Sequence, residues 1–588
     1  MQSPRFAVCF VALVLVFVSS AGAQQSSLVA PIAVYSHNAT HGTSSAAPVD
    51  EKQAMRDLDE LNRLKSAGVH TEFDMMEASW FAPASGYRAL RADAWPNGPD
   101  AWLARCRAIG VRPGMQIDGN AIPSQSVQIP GQWKDSLGAN GSSLSLFEGG
   151  YLPDLMAALQ SWYDRGVRLF AFDSIDLSAA TPTSGKLNPT EIVLRNATAM
   201  RQALQAFHEK NRDAVLLVSL LPSTQPRFSV PSVASAGAGD SNQPAHTSLA
   251  QLGAFTVVSA EMLRPSADPQ ANLWRAIDIE NDESVRRLEQ SGLTLAQIDS
   301  SGFTATGSAD SGMHAWKGAF LLSMARGGWA DSLHGDLSLI QKDDAHWMAH
   351  VQRLFLTLQE QGHMRSFGAP AGSGEPYGFA AASERGSVYV VVNPGDNAAT
   401  IALPAFATGA QNRSARRLQF SDAGFTPVLK DNSITLGPGQ MAMVGYGAYA
   451  ASSYNLGVQR DVVIPREVEL VNADFHATDS GALEASFEPP IDGVVRVILR
   501  PRISDSEAIP MLNLGATASH PFTLEVSQYG RAIPVRLDRG NKIEKGLGWT
   551  VGEIDVNDLT PGVPLVVRFH SNDYDMASLE ANAYAVEY

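Results

Sequence analysis

From Pro31 to about Glu360, short apolar runs alternate with longer stretches in which apolar residues recur every three or four positions. The short runs predict strands at Ile32–Ser36, His70–Asp74, Gly114–Asp118, Leu169–Asp173, Val215–Ser219, Phe255–Ser259, Ile298–Ser300 and Gly328–Asp331. The intervening patterns predict helices, among them Glu51–Ala67, Asp100–Ile109, Leu152–Arg165, Glu191–Glu209, Asp282–Ser291 and His314–Ala325. Strand–helix alternation of this kind predicts an α/β fold with a parallel sheet, and eight such units predict a (β/α)8 TIM barrel with long loops. A doubly wound open sheet is the alternative, but no Gly-rich phosphate loop follows the first strand.

Near Pro370 the period changes to that of short strands separated by turns. Gly378–Ala382, Ser387–Asn393, Thr400–Leu403, Ala415–Phe420, Ser433–Leu436 and Met441–Gly445 predict one all-β sandwich. A second series runs through Val468–Val471, Leu483–Phe487, Val494–Leu499, Phe522–Val526, Pro534–Leu537, Leu565–Phe569 and Ala583–Val586. Gly447–Ser453, made mostly of small residues, reads as a linker between them. The expected organisation is a barrel over 28–368 followed by two all-β sandwich domains, 370–448 and 455–588.

The first residues add a compartment. One positive side chain, Arg5, precedes an apolar run from Phe6 to Ser19, and Ala21-Gly22-Ala23 then offers small residues. That order predicts a signal peptide over 1–23 and a secreted or periplasmic protein. A membrane anchor is the alternative, but the run is short of the ~20 residues a span needs. No membrane span is expected in the mature chain. Of the two cysteines, Cys9 falls in the signal and only Cys106 remains, so neither a disulfide framework nor a Cys-rich zinc site is expected. The 588 residues carry a formal net charge of −16, which disfavours nucleic acid and anionic membrane as partners. It is compatible with a neutral oligosaccharide, polysaccharide or simple glycoside.

Catalytic groups of a (β/α)8 barrel sit at the C-terminal ends of its strands. The apolar run Val167–Phe172 delivers Asp173 there, with Asp176 as a nearby rival that reads better as a loop brace. Phe73-Asp74 follows the second strand, Ile117-Asp118-Gly119-Asn120 the third, and Arg275-Ala276-Ile277-Asp278 the sixth; Asp299 and Asp331 lie at the last two. Several carboxylates round one mouth suit glycoside cleavage, which needs one as nucleophile or base and another as proton donor. Taken singly, each Asp reads as a helix cap or loop brace. His37, His70, His314 and His334 are scattered, with no H-E-x-x-H and no calcium loop, so neither metal nor cofactor is expected. Arg264 and His314 read as a surface Arg and a helix N-terminal His.

These motifs resemble the α-galactosidase and melibiase superfamily of retaining glycosidases. Phe170-Ala171-Phe172-Asp173 is similar to its nucleophile segment, Arg275-Ala276-Ile277-Asp278-Ile279 to its acid/base segment, and Trp95-Pro96-Asn97-Gly98 to its Phe-Pro-x-Gly. Gly110 to Met115 resembles its entry to strand three, and Met313 to Leu337 its last helix and final loop. Ser143 to Tyr151 is in the style of a branch of bacterial exported proteins. The resemblance implies Asp173 as nucleophile and Asp278 as acid/base. It also implies Arg275, Asp74 and Asp118 as hydroxyl-binding groups, with Trp80 and Trp133 as stacking platforms. Two departures stand out. The family's Lys two residues before the nucleophile is Ala171, and its Asp-Asp-x-Trp is Asp74-Met75-Met76-Glu77. The expected function is therefore a retaining, α-galactosidase-like hydrolase. The alternatives are a degenerate carbohydrate-binding protein on the same scaffold, or a protein whose last domain binds a glycan or another protein.

Overall fold

The apolar runs become strands because they are buried on both faces where their side chains are described, the barrel lumen on one side and a helix layer on the other. In β1 (Ile32–Ser36) every residue is buried, and Ile32 and Val34 face the lumen while Tyr35 faces the helices. A computed structural model describes residues 32–37, 50–76, 78–122, 129–172, 175–220, 256–259, 275–290, 295, 298–300, 302–305, 313, 315–328, 330–361, 364–406, 415–501, 523–537, 550–570 and 579–588. The expected signal segment, Asp173, Arg264 and His314 lie outside them.

After β1 come β2 (Phe73–Met76), β3 (Arg112–Ile117), β4 (Leu169–Phe172), β5 (Val215–Leu220), β6 (Thr256–Ser259), β7 (Ile298–Asp299), β8 (Phe303–Ala305) and β9 (Ala330–Gly335). They form one sheet in the order β7-β6-β5-β4-β3-β2-β1-β9-β8. Every pairing in it is parallel. β7 pairs with β6 and β8 with β9, yet only residues 300–302 separate β7 from β8. Parallel neighbours need a long crossover, so β7 and β8 are two halves of one interrupted strand that closes an eight-stranded barrel. The interruption includes Gly302, at φ +65°, where a Cβ would lie 2.2 Å from the Ser332 carbonyl oxygen. Only glycine fits there.

The outer layer is α1 (Glu51–Ser66), α2 (Asp100–Ala108), α3 (Tyr151–Arg165), α4 (Pro189–Lys210), α5 (Ala276–Gln290), α6 (Trp316–Arg326) and α7 (Lys342–Glu360). Local chemistry sets their ends. Asp50 caps α1 by accepting from Gln53 N at 2.7 Å, Asn188 caps α4 ahead of Pro189, and Gly166 stops α3 in the left-handed region.

The first sandwich begins at β10 (Met364–Gly368) and pairs it with β11 (Tyr377–Ser383), β12 (Gly386–Val392), β17 (Met441–Gly447), β14 (Arg416–Ala423) and β18 (Gly457–Val463), in that order. Its small second sheet is β13 (Ala399–Ala402), β16 (Ser433–Leu436) and β15 (Val428–Lys430). Gly457–Val463 therefore completes this sandwich rather than opening the next. Gly447–Ser453 is packed into the sandwich and is not a linker: Tyr449 in its middle is 2% exposed, and its hydroxyl meets Ser383 Oγ at 2.9 Å. The small residues there allow close packing. The last domain holds two five-stranded sheets between Glu467 and Glu587.

Candidate functional site

The side chains of alternate strand residues divide the lumen into two levels. Ile32, Val34, Phe73, Leu169, Ala171, Leu217 and Ala330 form an apolar floor. Towards the C-terminal ends, the same alternation turns polar residues inward. Gln116 pairs in register with Ala171, Thr304 pairs with His334, and Ser36 follows the Tyr35–Leu333 pair. Asp118 follows Ile117 at the C-terminal end of β3 and is half-buried. Burial, with the Asp118 charge adding to it, holds the phenols of Tyr87 and Tyr151 well above their usual range. Tyr151 donates its hydroxyl to the Gly119 carbonyl.

The loops after β3 and β4 are tied together. Buried Asn120 donates to the carbonyls of Leu144 at 2.6 Å and Asp176 at 2.8 Å, and accepts from Asp176 N at 2.7 Å. The Asp176 carboxylate accepts from Ser178 N and Oγ, so it braces its own turn. Asp118 thus stands on a fixed rim.

The other proposed site residues are placed elsewhere. Asp74 lies in the second position of β2, whose strand runs two residues further than expected, so its side chain faces outward. It accepts from Trp102 Nε1 at 2.6 Å and meets His37 Nε2 at 2.8 Å, while His37 Nδ1 meets Asp57 at 3.1 Å. Both ring nitrogens face carboxylates, so the imidazole carries both protons. Burial alone would lower its pKa, but the Asp74 charge and the two hydrogen bonds raise it to about 9. This is a buried brace, not a hydroxyl-binding site.

Trp80 is fully buried against His37 and Trp95, with ring centroids 5.1 and 5.0 Å away. Trp133 is 5% exposed, packed edge-on to Tyr151, with its indole N–H donated to Asp154 at 2.8 Å. Neither offers a ring face to a sugar. Arg275 is 1% exposed and donates to Asp422 of β14 at 2.6 Å. It joins the barrel to the first sandwich. Asp278 lies in the first turn of α5, where Arg326 of α6 holds it at 3.1 Å and also binds Asp282; Tyr377 of β11 donates to Asp282 at 2.5 Å. Burial raises the Asp278 pKa, opposed by the charges of Arg326 and Arg275. Its carboxylate is engaged in the helix layer. Asp331 also faces outward, accepting from Gln352 of α7 at 2.6 Å, and burial pushes it up to about 6.

The structure therefore brings Asp118 to the mouth and places Asp74, Trp80, Trp133, Arg275 and Asp278 in structural contacts. Ser36, Gln116, Thr304 and His334 join Asp118 there. The period-two pattern carried that signal: each shares parity with a lumen residue of its own strand or of its register partner. Among the described residues, no group of three His, Cys, Asp or Glu is arranged to hold a metal ion.

No family model and no curated protein matches the chain. Solved structures that it resembles include an α-galactosidase of Geobacillus stearothermophilus in complex with raffinose, at 10% identity and a TM-score of 0.44, covering 71% of this chain and 56% of that one. The chain thus spans little more than half the length of that enzyme. Another is α-galactosidase I of Mortierella vinacea, at 12% identity and a TM-score of 0.41, covering 72% of this chain and 98% of that one. A third is the trehalulose synthase MutB of Pseudomonas mesoacidophila, at 11% identity and a TM-score of 0.43, covering 71% and 98%. The chain is similar to these glycoside-processing enzymes in fold alone, and its barrel stands on the strand register described above.

Proposed function

We propose that the chain is an exported protein that binds a glycoside at the C-terminal mouth of its barrel and hydrolyses it with retention. The observation that carries this reading is the lumen itself, apolar below and lined above by hydroxyl, amide, imidazole and carboxylate groups. A neutral polyol needs such a surface, with fixed polar groups over an apolar base. Asp118 and Asp173 each follow the last residue of paired strands, since Ile117 and Phe172 are register partners. In this reading Asp173 is the nucleophile and Asp118 replaces Asp278 as its partner acid. α-Galactosidases are among the structural neighbours, so an α-glycoside is the first substrate to try.

A second reading, a sugar-binding protein without turnover, draws on Ala171 in place of Lys and on the engagement of Arg275 and Asp278. One experiment separates the two. Aryl α- and β-glycosides are assayed with the wild type, D118N and D173N, alongside calorimetric binding of methyl glycosides. Turnover lost by at least ~10³-fold in either variant, with sugar still bound, supports hydrolysis. Binding without turnover in the wild type selects the second reading. A wild type that neither binds nor cleaves any of them defeats both.

A further inference from the structure

Round the lumen from Asp118, on the first strand of the barrel, lies a polar group that neither the motifs nor the resemblance pointed to. Ser36 ends β1 with the inward parity of Ile32 and Val34. It is 1% exposed, and its Oγ has no hydrogen-bond partner among the described residues. A buried hydroxyl left unpaired costs about 1–3 kcal/mol, so a site that retains one usually satisfies it with water or ligand. Next to it round the barrel stands β9. Asp331 and Leu333 of that strand face the helices, one bonded to Gln352 and the other packed in the main core, so Ser332 and His334 face the lumen. His334 follows Leu333, the register partner of Tyr35, and so stands level with Ser36. Beyond it is β8, where Phe303 and Ala305 pack outward and Thr304, the register partner of His334, faces in. Ser36, His334 and Thr304 thus stand on the first, eighth and seventh strands of the barrel. In a ring of eight, the seventh strand faces the third, which carries Gln116 and Asp118.

We propose that Ser36, His334 and Thr304 form a hydroxyl-binding wall that fixes which pyranoside the barrel accepts. The inference rests on the reading of the mouth as a glycoside site and deepens it. The three groups are uncharged donors and acceptors or an imidazole, which match the alternating donors and acceptors of sugar ring hydroxyls. They grip the ring from one side, and the anomeric carbon is left towards the third and fourth strands. Discrimination between epimers follows, because a wall built to bond a hydroxyl is left with unpaired groups when that hydroxyl points the other way.

The test uses the full chain with S36A, T304V and H334Q. The probes are methyl α-D-galactoside, methyl α-D-glucoside and methyl α-D-mannoside, which differ in single hydroxyl orientations. Each variant is measured by titration calorimetry and by thermal unfolding. The expected result is a drop of at least about tenfold in affinity for the preferred sugar, or a similar loss of its preference over an epimer. For S36A, Tm should be unchanged or higher, because an unpaired buried hydroxyl has been removed. A structural role would move Tm and leave epimer preference alone. If the wild type binds a sugar but the variants keep every affinity within about twofold, Ser36 holds only water and the inference fails, with the glycoside reading intact. If the wild type binds none of the three sugars, the wall and the reading beneath it fail together.

Discussion

The two β-sandwiches look alike in the sequence, yet they are attached in opposite ways. The first shares one hydrophobic core with the barrel. Tyr377, Phe379, Val388, Val390, Met441 and Met443 of its large sheet pack in the same cluster as Leu321, Leu354 and Phe355 of the barrel helices. Buried charges cross the same boundary, from Arg275 to Asp422 and from the Arg326–Asp282 pair to Tyr377. The last domain draws its core from its own strands, among them Leu483, Phe487, Val497, Leu499, Leu565, Val567 and Ala583. Several of its ion pairs, such as Arg466–Glu587 and Arg568–Glu484, lie in half-exposed or exposed positions. A sheet that buries one face against helices becomes part of the barrel, whereas one that closes on a partner sheet remains a separate unit.

The largest effect expected from this difference is at Asp422. Its carboxylate meets Arg275, Met441 N at 2.8 Å and Gln459 Nε2 at 2.8 Å, with both charged side chains fully buried. D422N removes the counter-charge and leaves a buried guanidinium, which should cost about 3–5 kcal/mol. Urea unfolding of the barrel transition measures it. R568A, in the last domain, should cost less than about 1 kcal/mol. Equal losses in the two variants would erase the distinction between the attachments.

The next effect is one of pH, and it belongs to the barrel. His37 is raised to about 9 in the folded state. The stability it contributes is complete below its unfolded pKa of about 6.5 and is lost as pH rises through 9. The loss should be on the order of 3 kcal/mol in the barrel transition between pH 6.5 and 9.5. Ring 15N shifts should show His37 doubly protonated at pH 8. A singly protonated ring at that pH would contradict the buried carboxylate–imidazolium–carboxylate arrangement.

Asp331 gives a smaller effect in another window. Burial raises it to about 6, so the folded state holds a proton that the unfolded chain has released. The barrel therefore loses stability as pH rises from about 4 through 6. D331N removes that loss and can still accept from Gln352. It should stabilise the barrel by on the order of 2 kcal/mol at pH 7.5 and change little at pH 4. A D331N protein no more stable than the wild type at pH 7.5 would mean that Asp331 is not buried as described.

Much of the fold was legible because strand burial is written in consecutive apolar residues, and all eight barrel strands were marked from that signal. The interrupted seventh strand shows only its first half in the sequence, since Asp299, Ser300, Ser301 and Gly302 separate Ile298 from Phe303. The site was less legible, for two reasons. One is parity. Ending β2 at Asp74 turned that residue towards the mouth, whereas the strand continues to Met76 and turns it outward. The other is distance along the chain. The partner of Arg275 lies 147 residues away in another sheet, and no local pattern announces it. A buried Arg and a substrate-binding Arg look the same in sequence. Asp118 could be placed past the end of its strand because it follows Ile117 directly, whereas the bonds by which Asn120 ties the rim reach 24 and 56 residues along the chain and no local pattern announces them.

The smallest effect expected is that of removing the last domain. β18 ends at Val463, and Val462 and Ile464 pack with Ala315 of the barrel, so a cut must spare them. Arg466 N already donates to the Glu587 carbonyl and belongs to the last domain. Deleting 466–588 therefore separates the two cores without opening either. A sandwich of this size, with a core of its own, is large enough to fold alone. Calorimetry of the full chain should show two transitions, and the deletion should abolish one while moving the other by less than about 4 °C, the shift that roughly 1 kcal/mol produces. Sugar affinity at the barrel mouth should be unchanged. If the barrel transition falls further, or affinity drops with it, the last domain is part of the barrel's support, and its own core is no measure of its independence.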